Sequence, residues 1–177
     1  MIEKAATHLA NKIKDANPDE TSSVEVLTYG LAMSMNLIGV IAGCFIMGLV
    51  TGHIIDTFTA FAAFALLRRF SGGYHARSLS LCLVVSIVVF TVIPLIPVNN
   101  ESLLIIKLIC LLFVVVLAPA NRTENNISEK LKIPFKVLSI LLTICLLLIN
   151  SPIITLAVFS QAVLLIDIKW VKEVIIK

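Results

Sequence analysis

Four cysteines and three histidines are the side chains of this 177-residue chain best suited to nucleophilic chemistry, and one cysteine and one histidine stand close together. His75 and Cys82 lie within the string Arg68-Arg69-Phe70-Ser71-Gly72-Gly73-Tyr74-His75-Ala76-Arg77-Ser78-Leu79-Ser80-Leu81-Cys82. A thiol with a pKa of about 8.5 is mostly protonated at neutral pH, so a nucleophilic cysteine needs a base or a positive field beside it. His75 is placed to supply the base, and Arg68, Arg69 and Arg77 to add field. A helix capped by Ser78 puts Cys82 in its second turn, where the N-terminal dipole also favours a thiolate.

Along one continuous helix the spacing brings His75 and Cys82 to the same face but about 10 Å apart along the axis, too far for a hydrogen bond. The dyad therefore requires the chain around His75 to leave the helix and fold back. Gly72 and Gly73 just upstream permit the backbone angles this needs. Their amides are also candidates to face a developing oxyanion. Taken alone, the residues leave a second reading open. His75 is then an ordinary interfacial histidine, Cys82 a packed or lipid-facing cysteine like Cys44, Cys110 and Cys145, the glycines a plain turn and the arginines topology signals.

The elements that must position these groups are hydrophobic. Apolar residues make up 59% of the chain and charged residues 14%, with a mean hydropathy of +1.04, outside the range of soluble proteins. The expected fold is an all-α, polytopic integral membrane helical bundle with about six hydrophobic segments, forming one membrane domain over 1–177. Residues 1–16 put Ile2, Ala5, Ala6, Leu9 and Ile13 on one stripe and read as an amphipathic interfacial helix. Pro18 breaks it, and Ser22 with Glu25 forms a capping-box pattern before the next helix. The hydrophobic segments cover 27–50, 54–67, 79–98, 103–118, 133–149 and 152–168. The second is short at roughly 21 Å and carries Asp56. Pro94 and Pro97 disturb the end of the third, Pro119 ends the fourth, Pro134 falls near the first turn of the fifth, and Ser151 caps the sixth.

Thirteen of the fourteen Lys and Arg residues fall in the N-terminal segment, the breaks around residues 68–77 and 122–136, and the tail. Basic residues collect on the cytoplasmic side of short loops, so both termini and the His75 loop are expected on the cytoplasmic side of the membrane. Six crossings fit this pattern, and so do four full spans with two re-entrant hairpins. Lys107 is the exception. A pair between Asp56 and Lys107 is one reading of those charges, simple interface placement the other. Asn36 and Gln161 read as helix-packing residues. The net charge of +3 is too small to suggest nucleic-acid binding. The scattered cysteines show neither a disulfide framework nor a zinc site, and no cofactor or metal is expected.

The string Arg68, Gly72-Gly73-Tyr74-His75-Ala76, Cys82 resembles the motif of accessory gene regulator B (AgrB) proteins, which are membrane cysteine endopeptidases of quorum sensing. The resemblance implies Cys82 as nucleophile and His75 as general acid and base, with Arg68 and Gly73 matching an arginine and a glycine needed for activity. It extends to the overall layout and to a basic central loop after Ala118-Pro119. Here Lys130 and Lys132 alternate with Glu129 and Leu131 instead of forming an unbroken lysine run. The resemblance further implies an AgrD-type propeptide as substrate, with an amphipathic leader, a signal core and an acidic tail attracted to the basic face. Release of the tail through an acyl-enzyme thioester would lead to a cyclic thiolactone or lactone. It also implies contact with membrane lipid and a homodimer. Two alternatives lie outside catalysis: a membrane peptide carrier or accessory subunit, and a structural assembly protein. In both, the Cys82 thiol is dispensable.

Overall fold

A computed structural model describes residues 1–73, 78–120 and 129–166, together with the backbone but not the side chains of Glu129 and Lys130. Among the described residues the secondary structure is helical, with no strand longer than a single bridge. The helices are α1 (Ile2–Ala16), α2 (Val24–Thr51), α3 (Ile54–Ser71), α4 (Leu79–Val92), α5 (Asn100–Leu117), α6 (Glu129–Leu148) and α7 (Pro152–Val163). A 3-10 turn, Ile93–Leu95, extends α4 at Pro94, whose fixed φ and missing N–H end the regular helix there.

Among the described residues three helices are long and apolar enough to cross a membrane: α2, α5 and the Leu131–Leu148 part of α6. The 28 residues of α2 reach roughly 42 Å and the 18 of α5 roughly 27 Å, against a hydrocarbon core of about 30 Å. Their outward aliphatic side chains, such as Ile38, Val50, Leu108 and Val116, are exposed in the isolated chain. Lipid is the solvent that such continuous apolar faces suit. The 12 residues of α7 reach only about 18 Å, and seven of its side chains are buried.

The boundaries differ from the expected ones in instructive ways. Ser23, not Ser22, caps α2 by accepting from the Val26 amide at 3.4 Å. A serine pair offers two registers for the cap, and the N3 amide is met by the second. Asn99 accepts from the Ser102 amide at 2.8 Å and so starts α5 three residues before the apolar run. Helix α6 begins at Glu129, which puts Pro134 inside it rather than in its first turn. Helix α3 runs through Arg68 and Arg69 to Ser71, so the two arginines occupy its last turn, the end where cations complement the helix dipole. Lys107 donates to Asn150 Oδ1 at 2.7 Å, so its partner is an amide rather than Asp56.

The chain forms two compact units. In the first, α1 packs along α2 through the fully buried Ala6 and Ala10, and α4 lies against α2. A methyl group at Gly39 would collide with Leu83 Cδ1, and one at Gly43 with Ile87 Cδ1. Two glycines one turn apart thus leave notches on α2 that take the Leu83 and Ile87 side chains of α4, the first of them next to Cys82. In the second unit α7 is the centre, packed against α5, α6 and the 3-10 turn. The hydroxyls of Ser139 and Thr143 are buried at this level of α6 and return to the carbonyls of Phe135 and Ser139, at 2.7 and 2.8 Å. Helix α3 contributes a buried stripe of Thr57, Ala60, Ala63, Leu67 and Ser71.

Candidate active site

The first unit carries Cys82. Its backbone amide donates to Ser78 O at 3.0 Å, the first rung of α4, which makes Ser78 the cap position and leaves Cys82 beside the helix start. The Leu79 amide, one of the orphan donors of that start, is taken by a carboxylate from another helix. Glu3 Oε1 accepts it at 2.7 Å and lies 3.5 Å from Ser78 Oγ. The Ile2 amide donates to Ser80 Oγ at 3.4 Å. The Glu3 carboxyl is held below its ordinary value, first by its own backbone amide and next by the Leu79 amide. An acid therefore sits at the helix N-terminus that the sequence suggested as a source of positive field. Of the four cysteines, Cys44 and Cys110 are fully buried, Cys82 is half-buried and Cys145 is exposed on α6.

The second unit carries Arg68, Gly72 and Gly73. Helix α3 ends because Gly72 turns to φ 67° and Gly73 to φ 128°, conformations that favour glycine. The Gly72 amide donates to Arg68 O at 3.1 Å and closes the helix, which removes it from the candidates for an oxyanion donor. The Ala120 amide donates to Ser71 O at 2.9 Å. A Cβ at Gly72 would lie 2.8 Å from Ala120 O, and one at Gly73 would lie 3.1 Å from Leu164 O.

The partner that organises this turn is Gln161 of α7, which is fully buried. Its Nε2 donates to Ser71 Oγ at 2.9 Å and to Gly72 O at 2.6 Å, while Oε1 accepts from Arg68 Nη1 at 3.2 Å. The Arg68 guanidinium also lies 5.6 Å from the centroid of the Phe64 ring, one turn back on α3. Gln161 thus does more than pack helices: three of its four hydrogen-bonding valences hold the Arg68–Gly72 turn. The signal for it was present, since an amide inside an apolar run must find partners. The spacing did not say which.

His75 and Arg77 lie outside the described residues, as does the Lys130 side chain. Arg69 is exposed and Lys132 half-buried. The turn at Gly72–Gly73 is held by α7 just before His75 in the chain, and Ser78–Leu79 is held by α1 just after it. Among the described residues no group of three His, Cys, Asp or Glu side chains is gathered to hold a metal.

The profile of the accessory gene regulator B family matches residues 3–171. An AgrB-like protein of Halalkalibacterium halodurans is 29% identical over 175 residues, covering 95% of this chain and 88% of that protein. Accessory gene regulator protein B of Staphylococcus aureus strain MW2 is 28% identical over 183 residues, covering 97% of this chain and 96% of its own length. The Staphylococcus intermedius protein of that name is 29% identical over 128 residues, covering 70% of this chain and 60% of its own. No solved structure is significantly similar. With a family profile and two of these relatives matching nearly from end to end, the chain belongs to the accessory gene regulator B family.

Proposed function

We propose that the chain is a multi-pass cysteine endopeptidase of the bacterial cell membrane that releases the C-terminal tail of an AgrD-type quorum-sensing propeptide. His75 takes the proton of the Cys82 thiol, and the sulfur attacks the carbonyl carbon joining signal core to tail. The C–N bond breaks as His75 returns the proton to the leaving amine, and the core remains on Cys82 as a thioester. A Cys or Ser inside the core then attacks this thioester and forms a thiolactone or lactone. Its proton passes through His75 to the departing Cys82 sulfur. Excluding water at the membrane edge favours this cyclisation over hydrolysis.

The observation that carries the reading is the pairing of family membership with the position of Cys82. It is a half-exposed cysteine at a helix start close behind His75, while Cys44 and Cys110 are sealed in the packing. The basic residues support a topology with both termini and the His75 loop in the cytoplasm. Arg69, Arg77, Lys130 and Lys132 on that side would draw in an acidic tail over roughly 8 Å at physiological salt. The functional form is a homodimer.

Mass spectrometry of the cognate propeptide incubated with the protein in membranes tests this. Wild type is expected to release the tail and leave a covalent acyl-enzyme, both abolished in Cys82→Ala. Unimpaired processing by Cys82→Ala would remove Cys82 as nucleophile and favour the carrier reading.

A further inference from the structure

The sequence assigns α1 to the membrane surface, and nothing in its spacing connects it to the helix that bears Cys82. Yet the first turn of α1 and the first turn of α4 are joined at two points. Glu3 Oε1 accepts the Leu79 amide at 2.7 Å, and the Ile2 amide donates to Ser80 Oγ at 3.4 Å. Leu79 and Ser80 are the first two residues of α4, where an orphan amide without a cap invites fraying. Helix α4 is short, and its regular part ends at Val92 before the 3-10 turn.

We propose that Glu3 is a positioning residue for Cys82: by capping α4 from the neighbouring α1, it holds the first turn of the nucleophile's helix in register. The inference rests on Cys82 being the nucleophile, but the cap itself has a readout independent of that role. Glu3 acts through the backbone of Leu79 and takes no part in bond making. The docked face of α1, with Ala6 and Ala10 buried, keeps the carboxylate at the right height. At neutral pH Glu3 is ionised and so is the stronger, charged acceptor, and its hydrogen bonds lower its titration further.

The test uses the full chain in lipid bilayers and compares wild type with Glu3→Ala and Glu3→Gln, the latter keeping an acceptor oxygen at similar reach. Hydrogen exchange of the amides from Leu79 to Leu83 is expected to accelerate in Glu3→Ala and to be largely restored in Glu3→Gln. Tail release from the cognate propeptide should follow the same order. The expected loss in kcat for Glu3→Ala is about three- to thirtyfold, the range of a lost helix cap, with KM nearly unchanged. Unchanged exchange in Glu3→Ala would overturn the cap. So would equal impairment of Glu3→Gln and Glu3→Ala, or a change confined to KM, which would make α1 a substrate-docking element instead. If exchange responds as expected but Cys82→Ala still processes the propeptide, the cap stands and the endopeptidase assignment is what fails.

Discussion

Replacing Gln161 with leucine keeps a similar volume in α7 and removes every hydrogen bond that the side chain makes to the end of α3. The Gly72 carbonyl and the Ser71 hydroxyl are both buried and lose their donor, and Arg68 loses the acceptor at 3.2 Å. A buried polar group left unsatisfied costs about 1–3 kcal/mol. Interhelical polar contacts inside membranes average nearer 0.6 kcal/mol and reach about 1.7, because the unfolded reference also finds partners. We therefore assign about 1–3 kcal/mol to the whole network rather than to each bond. The Gly72–Gly73 turn leads directly into His75, so this energy is expressed as displacement of the turn and not only as global instability. If all of it fell on the transition state, propeptide tail release would slow by about 5- to 150-fold. Steady-state kinetics in proteoliposomes measure that loss, with thermal unfolding in detergent as the control for folding. The double variant with Arg68→Ala is decisive. If Arg68 and Gln161 act as one network, the double variant is little worse than the poorer single variant. A Gln161→Leu protein within about twofold of wild type, or losses that add fully, would refute the argument.

Two further outcomes follow from the same geometry. Gly72→Ala combines a positive φ with a Cβ only 2.8 Å from the Ala120 carbonyl oxygen, so it should destabilise by more than about 1 kcal/mol, read as a lower unfolding midpoint and reduced tail release. The cap at α4 should also respond to pH in one direction. Because the Glu3 carboxyl titrates below its unfolded value, its contribution is complete above the ordinary glutamate range and is lost as pH falls through the depressed folded value. Hydrogen exchange at Leu79 is therefore expected to be insensitive to Glu3→Gln near neutrality beyond a modest offset, and that offset should vanish in strong acid.

Much of the architecture was readable because it depends on local composition. A run of 24 uncharged residues from Leu27 to Val50 can satisfy its backbone in lipid only as a helix, and α2 covers it. Prolines and capping residues located the breaks, although Ser23 rather than Ser22 closed the α2 terminus and Asn99 extended α5 beyond its apolar run. Hydropathy alone ends the segment at Leu67 and leaves Arg68 and Arg69 in the following loop. The dipole and the buried stripe ending at Ser71 draw them into α3 instead.

What the sequence by itself determined is the membrane class, the all-helical fold, and the string in which the chain's nearest histidine and cysteine follow a glycine pair. Those follow from hydropathy, helical periodicity and short spacings, which the chain carries locally. Only the tertiary structure decided what holds that string in place. Glu3 meets Leu79 across 76 positions and Gln161 meets Gly72 across 89. The physical reason is that a side chain's polarity declares its need for a hydrogen bond, whereas the identity of its partner depends on which helices pack together. Gln161 read as packing because its need was visible and its destination was not.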